Sequence, residues 1–217
     1  FDDCDADVRA ACRAALAAAA AAGAELVPVA VPELELMRVA HTVTIASEMH
    51  NCMQGYWDDP ATRALFNADV RLALGIVRHW TSADYIAAQR IRARGTVHFK
   101  RVLSGVHVLA TPTAPITAPR VPAAAAAGGA SDLVQTSTIM RYVPQANLIG
   151  LPAISVPVGV ASNGLPVGMH FMGRPWAEAS LLRVAGVIEA ACWADKRASD
   201  AAPAMYVNPL TGDRVGL

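Results

Sequence analysis

Apolar positions recur at helical spacing over most of this chain and alternate, or run together, at a few short stretches. The first helix is expected from Asp3 or Asp5, either of which can cap it, to Ala22, with Gly23 placed as its stop. Val27, Val29 and Val31 alternate within Glu25–Val31, a strand signal, and Pro28 confines that strand to an edge or a bulge. Leu36, Val39, Ala40, Val43 and Ala46 mark one face of a helix over residues 35–53. Tyr56, Trp57 and the turn signal Asp58-Asp59-Pro60 break the pattern over 51–60. Leu65, Phe66, Val70, Leu74 and Val77 predict a helix over 61–80. Tyr85, Ala88, Ile91, Val97 and Phe99 predict another, from Ser82 or Asp84 to about Leu103.

The second half reads differently. Val106-His107-Val108-Leu109-Ala110-Thr111 is a short buried strand, ended where Pro112 and Pro115 can no longer donate to a ladder. Residues 115–131 form a low-complexity loop with five consecutive alanines from Ala123 and then Gly128-Gly129. A helix is expected over 133–148, interrupted at Pro144. Ile154 to Val160 is a β-branched strand and Val167 to Met172 its return, joined at Asn163-Gly164, a pair that predicts a type I′ turn. Pro175 suits the first turn of a closing helix whose apolar face is Leu181, Leu182, Ala185, Ile188 and Cys192. Residues 198–217 are polar and turn-rich, a loosely docked tail. The sum is three or four strands and about five helices, an α/β chain without an internal repeat.

A length of 217 residues suits one domain with a sizeable core. The apolar fraction of 54% is inflated by alanine, and the formal charge of +0 offers nothing that would draw nucleic acid or an acidic membrane. Arginine outnumbers lysine sixteen to two, which with the alanine content reads as GC-rich coding rather than chemistry. Cys4, Cys12, Cys52 and Cys192 show no Cys-x-x-Cys pair and read as reduced thiols of an intracellular protein, cytoplasmic or peripheral to an internal membrane. No apolar run reaches the length of a membrane span. The chain starts Phe1-Asp2-Asp3, acidic and without Met, so no secretory signal is read there and a portion of a longer product is expected.

Familiar catalytic patterns are missing. No Gly-x-Ser-x-Gly elbow occurs, and His41, His50, His79, His98, His107 and His170 fall in neither a His-Glu-x-x-His nor a Cys/His zinc spacing. Asp58-Asp59 is read as a turn pair, and Arg90, Arg92, Arg94 and Lys100-Arg101 as a solvated basic helix face. His107 and His170 both fall on strands expected to be buried, where a hydrogen-bonded core histidine is the ordinary reading. No metal and no cofactor is expected.

One long ordered stretch carries a resemblance. Asn147-Leu148-Ile149-Gly150-Leu151-Pro152-Ala153-Ile154-Ser155-Val156-Pro157, then Gly164-Leu165-Pro166-Val167-Gly168, then a helix with a late Glu189, resembles the C-terminal part of the amidase signature family. These are serine hydrolases that include the glutaminyl-tRNA amidotransferase A-type chains and the fatty acid amide hydrolases. Gly173-Arg174-Pro175-Trp176-Ala177-Glu178-Ala179, with Met140-Arg141-Tyr142 upstream, looks nearest to the plant-type fatty acid amide hydrolases. Asp84, Tyr85, Ala88 and Arg92 match a further family segment, as does Thr111-Pro112-Thr113. The chain departs from the family at His107, usually Asp, and at His170, usually Gln.

The resemblance implies a fold: a C-terminal slice of an α/β/α sandwich with a mixed sheet, the whole of 1–217 being one partial amidase domain. It implies a Ser, cis-Ser, Lys triad, with the nucleophile and oxyanion donors in a Gly-Gly-Ser-Ser-Gly-Gly-Ser type of loop. That loop is absent. Gly128-Gly129-Ala130-Ser131 has one serine and no following glycine and reads as a connector, while Lys100 and Lys196 match no family lysine. No catalytic residue is therefore assigned in this chain.

The resemblance brings Thr111 and Thr113 near the acyl side of a substrate pocket, and Met140 could line an apolar acyl channel. The plainer readings are strand-end hydrogen bonding for the threonines and core packing for Met140. Three functions stay open. One is the C-terminal part of an amidase cleaving fatty acid amides or N-acylethanolamines, with its triad upstream. The others are a non-catalytic remnant or binding module, and a glutamyl-tRNA amidotransferase A-like chain. The expected partner is a small amide or acyl-amide substrate, a homodimer is compatible, and nucleic acid is not expected.

Overall fold

The computed structural model describes residues 1–123 and 132–192. The expected loop over 115–131 falls partly outside them. Gly128-Gly129-Ala130-Ser131, Lys196 and the expected tail over 198–217 fall wholly outside. The chain divides into two compact units built from interleaved segments: a sheet unit from residues 1–28, 106–118 and 152 onward, and a helical unit from 29–105 and 119–151.

The sheet unit holds helix α1 (Ala6–Ala21) and strands β1 (Val108–Pro112), β2 (Ala153–Val160) and β3 (Pro166–Gly173). The closing helix of this unit spans Glu178–Cys192. The described strands form one antiparallel sheet in the order β1-β3-β2. Because side chains alternate along a strand, one face carries Ile154, Val156, Met169 and Phe171, and this face is the core. Helix α1 lays Val8, Cys12, Ala15 and Ala19 on it, a stripe at helical spacing, and the closing helix adds Leu181 and Ile188. Pro157 sits on the edge strand β2 beside a register irregularity at Pro157/Gly159, the one kind of place where a strand proline costs no central ladder bond. Asp7 of α1 accepts from the backbone N (2.8 Å) and the Oγ (2.5 Å) of Ser162, tying the helix to the β2–β3 hairpin.

Local chemistry explains where the elements differ from expectation. The β2–β3 loop is not a type I′ turn. Gly164 alone in it has positive φ, +79°, with Gly164 N donating to Ala161 O (2.9 Å) and Ala161 N to Leu165 O (2.8 Å). That is a three-residue hairpin loop with glycine at its left-handed position. Asn163 instead uses its side chain, donating to Thr117 Oγ1 and accepting from Leu165 N. The strand expected over Glu25–Val31 forms no ladder among the described residues, and Leu26, Val27 and Val29 remain about half exposed. A strand needs a partner as well as a pattern. The closing helix starts at Glu178 rather than at Pro175, because Trp176 takes the left-handed conformation, φ +64°.

The helical unit contains α2 (Leu34–Asp58), α3 (Pro60–Arg63), α4 (Ala68–Val77), α5 (Ser82–Gly105), α6 (Leu133–Ile139) and α7 (Pro144–Ile149). We number the closing helix of the sheet unit, Glu178–Cys192, α8. Helix α2 runs through the break expected from residue 51 and stops only at Asp58. The helix expected over 61–80 is split into α3 and α4, and the helix expected over 133–148 is split at Pro144. The buried stripe of α2 is Met37, Ala40, His41 and Thr44, turned away from the expected Leu36 and Val39, which stay nearly half exposed. Two of those four residues are polar, so hydropathy alone points to the wrong stripe. Thr44 is satisfied there by Gln89 Nε2 at 2.9 Å. Met37 of α2 packs into the space left by Gly95 of α5, where a Cβ would lie 2.6 Å from Met37 Cε.

Candidate functional site

The site is built from three strands of the sheet unit. Thr111 on β1 stands opposite His170 on β3, and His170 stands opposite Ser155 on β2. Directly opposed residues of antiparallel strands share a face, so these three lie in one row, on the side away from the apolar core. Thr113 follows β1 and extends its ladder, its backbone N donating to Gly168 O at 2.9 Å. Thr113 Oγ1 then reaches Ser155 Oγ, 2.5 Å away, diagonally across the central strand.

Gly168 makes that reach possible. A Cβ there would lie 2.9 Å from Thr113 Oγ1 and 3.1 Å from Ser155 Oγ, so any larger residue would separate the two hydroxyls. The row is graded in exposure. His170 is 5% exposed, Thr111 and Thr113 are half-buried, and Ser155 is exposed. Two of its buried polar atoms, Thr111 Oγ1 and His170 Nδ1, have no hydrogen-bond partner among the described residues. Such atoms are uncommon in folded proteins, where an unmet buried donor or acceptor costs about 1–3 kcal/mol. Burial holds the His170 imidazole below its ordinary pKa, so the ring is neutral near pH 7 and the row carries no formal charge.

The expected site residues thus divide. Thr111 and Thr113 belong to the sheet unit, and Thr113 is drawn to Ser155. Met140 belongs to the helical unit, where it is half-buried and caps the C-terminus of α6 in a turn rather than standing within a continuous helix. The two strand histidines also divide. His170 is buried, with no partner for its Nδ1 among the described residues, whereas His107 precedes β1 and is exposed.

Ser155 and Gly168 were not among the expected site residues. Their signals were present, a lone hydroxyl in a β-branched strand and a glycine inside a strand, where close approach of another group is a usual cause. Lys100 is exposed on α5. No group of three or more His, Cys, Asp or Glu capable of holding a metal occurs among the described residues. The four cysteines are free thiols. No described helix is long and apolar enough to cross a membrane. The helical unit has a separate open cavity of about 240 Å³ lined by His41, Thr44, Glu48, Arg92 and Asn147 among others.

The family model for amidases matches residues 1–182. A fatty acid amide hydrolase of Medicago truncatula is 45% identical over 175 residues, 81% of this chain and 29% of that protein. The A-type chain of the glutamyl-tRNA(Gln) amidotransferase of Myxococcus xanthus is 31% identical over 207 residues, 85% of this chain and 42% of that protein. In structure, the corresponding glutamyl-tRNA(Gln) amidotransferase chain of Thermotoga maritima superposes with a TM-score of 0.67 at 26% identity, covering 87% of this chain and 39% of that one. The chain thus spans less than a third of the length of the plant hydrolase it matches.

Proposed function

The chain belongs to the amidase family, and from that premise we propose that it is the substrate-binding C-terminal part of an amide hydrolase acting on fatty acid amides or N-acylethanolamines. The observation that carries the substrate class is the 45% identity to a plant fatty acid amide hydrolase, against 31% to an amidotransferase chain. The uncharged hydroxyl row supports the same reading, because a neutral amide is bound by hydrogen bonds and needs no counter-charge. In this reading Thr111 and Thr113 touch the acyl-amide, Met140 lines the acyl channel, and residues 1–217 are one partial domain. The family match running through segments of both units supports the single-domain reading. The Ser, cis-Ser, Lys triad is supplied by sequence outside this chain. The holoenzyme sits in the cell interior, in the cytoplasm or on an internal membrane, and a homodimer suits it.

The test is turnover. A longer protein that joins this chain to an amidase region carrying both serines and the lysine should release ethanolamine from N-acylethanolamines. It should also discriminate against glutamine. Glutamine hydrolysis with no acylethanolamine turnover would favour the amidotransferase reading, and no turnover of either would favour a non-catalytic binding module. The last reading draws on one observation: the only described lysine, Lys100, is an exposed residue of α5.

A further inference from the structure

We propose that the cavity of the helical unit is a binding site for a small α-amino acid, held as its zwitterion. The inference goes beyond the hydrolase reading and does not rest on it. The walls come from three helices of one unit: His41, Thr44 and Glu48 of α2, Arg92 of α5, and Asn147 and Leu148 of α7. The three residues of α2 stand at i, i+3 and i+7, so a single stripe of that helix serves the cavity. His41, Thr44 and Leu148 are buried and make its floor, while Glu48, Arg92 and Asn147 are exposed and make its rim. The volume of about 240 Å³ admits a molecule of several heavy atoms, since one water needs only about 10–15 Å³ of such space.

Two observations point to a ligand. On the floor, His41 is 4% exposed, and no hydrogen bond or ion pair engages its imidazole among the described residues. Unlike His170 Nδ1 and His98 Nδ1, neither of its ring nitrogens is sealed from solvent, so the ring is reachable from the cavity it lines. Burial alone lowers its pKa, and a neutral imidazole brings one donor and one acceptor. On the rim, Glu48 Oε1 accepts from Tyr85 Oη at 3.1 Å, and Arg92 Nη1 donates to Gln89 Oε1 at 3.3 Å. Neutral side chains of α5 thus hold two opposite charges that form no ion pair with each other among the described residues. Gln89 Nε2 also donates to Thr44 Oγ1 at 2.9 Å, which leaves the Thr44 hydroxyl hydrogen free to donate.

The ligand follows as the complement. Arg92, the Asn147 amide and the Thr44 hydroxyl are donors for a carboxylate, and Glu48 is an acceptor for an ammonium. A carboxylate alone is repelled by Glu48 and leaves it unanswered, and an ammonium alone meets Arg92 in the same way. An α-amino acid carries both groups on one carbon and brings no net charge to a cavity whose own two charges cancel. Its main-chain groups suffice for recognition, and no amide bond is needed.

Glycine is the probe, because it has both groups and no amide to hydrolyse. Titrated into the protein, it should shift the amide signals of His41, Thr44, Gln89 and Asn147 saturably and leave Asn163 and Gly164 of the β2–β3 hairpin unmoved. Acetate and methylammonium, each half of the zwitterion, should bind about fivefold more weakly or less well still. Glu48→Gln and Arg92→Gln should each weaken glycine about fivefold, the upper range for a partly exposed ion pair. Glu48→Gln should not weaken acetate, and Arg92→Gln should not weaken methylammonium. The absence of saturable glycine shifts, equal binding of either half, or glycine binding unchanged by both substitutions overturns the site. If a variant fails to fold, glycine against its two halves on the unaltered protein still decides. Glycine binding without amide turnover leaves this site standing, and turnover by the longer protein without glycine binding removes it alone.

Discussion

Each unit contains a glycine whose missing side chain is filled by a neighbour, and the two neighbours are of opposite character. In the helical unit Gly95 admits the thioether end of Met37, which is fully buried. In the sheet unit Gly168 admits two hydroxyls, Thr113 Oγ1 and Ser155 Oγ. The first arrangement serves packing alone: a flexible apolar chain completes a close helix crossing and leaves nothing unmet. The second leaves hydrogen-bonding capacity on a face that also holds two buried atoms without a partner among the described residues. Equal gaps in the backbone thus make a core contact in one unit and a candidate binding surface in the other, and only the chemistry of the occupant separates them.

The largest expected effects come from the apolar cores and make the units comparable. Phe99→Ala in the helical unit should cost about 3–5 kcal/mol and Met169→Ala in the sheet unit about 2–5 kcal/mol, read from urea unfolding. A cost below about 1 kcal/mol at either site would mean that the core assigned to that unit is wrong.

Next are the glycines. Gly168→Ala should destabilise by about 1–3 kcal/mol, since the hydroxyls it meets are held on short side chains fixed by the ladder. Gly95→Ala should cost less, because it meets the movable end of a methionine. Met37→Ala should remove most of that penalty in a double-mutant cycle, and additive costs would break the comparison.

Smaller effects come from titration, and here the sheet unit has groups that burial shifts in opposite directions, His170 down and Cys12 up. Burial lowers the His170 pKa in the folded state from an ordinary 6.5. Its contribution is therefore whole above the unfolded value and is lost as pH falls through the folded one. Burial pushes the Cys12 thiol up to about 12 from 9.0, so its contribution is whole below the unfolded value and is lost as pH rises toward about 12. His170→Gln should flatten the acid limb of the stability profile, and Cys12→Ala the alkaline limb. His41 in the helical unit, also lowered by burial, should contribute to the acid limb alone. An alkaline limb that survives Cys12→Ala would show that another group governs it.

The smallest effect is at a helix cap. Asp132 Oδ1 accepts from Gln135 N at 2.9 Å at the start of α6, and Asp132→Ala should cost about 1 kcal/mol by thermal unfolding.

Much of this molecule was legible without a structure. The first helix and its stop before Gly23 follow from the sequence pattern, the β2–β3 hairpin from β-branching around a glycine, and the family from the ordered run Asn147 to Glu189. These are local patterns, and neighbours along the chain are enough to set them. The tertiary structure decided the rest. It turned the α2 stripe toward His41 and Thr44, because a polar residue can be buried once a partner such as Gln89 reaches it. Among the described residues it left 25–31 without a ladder, because a strand forms only against another strand. It brought Thr113 to Ser155 across Gly168, residues separated by 42 positions, because hydrogen bonding between strands, not distance along the chain, sets which side chains meet.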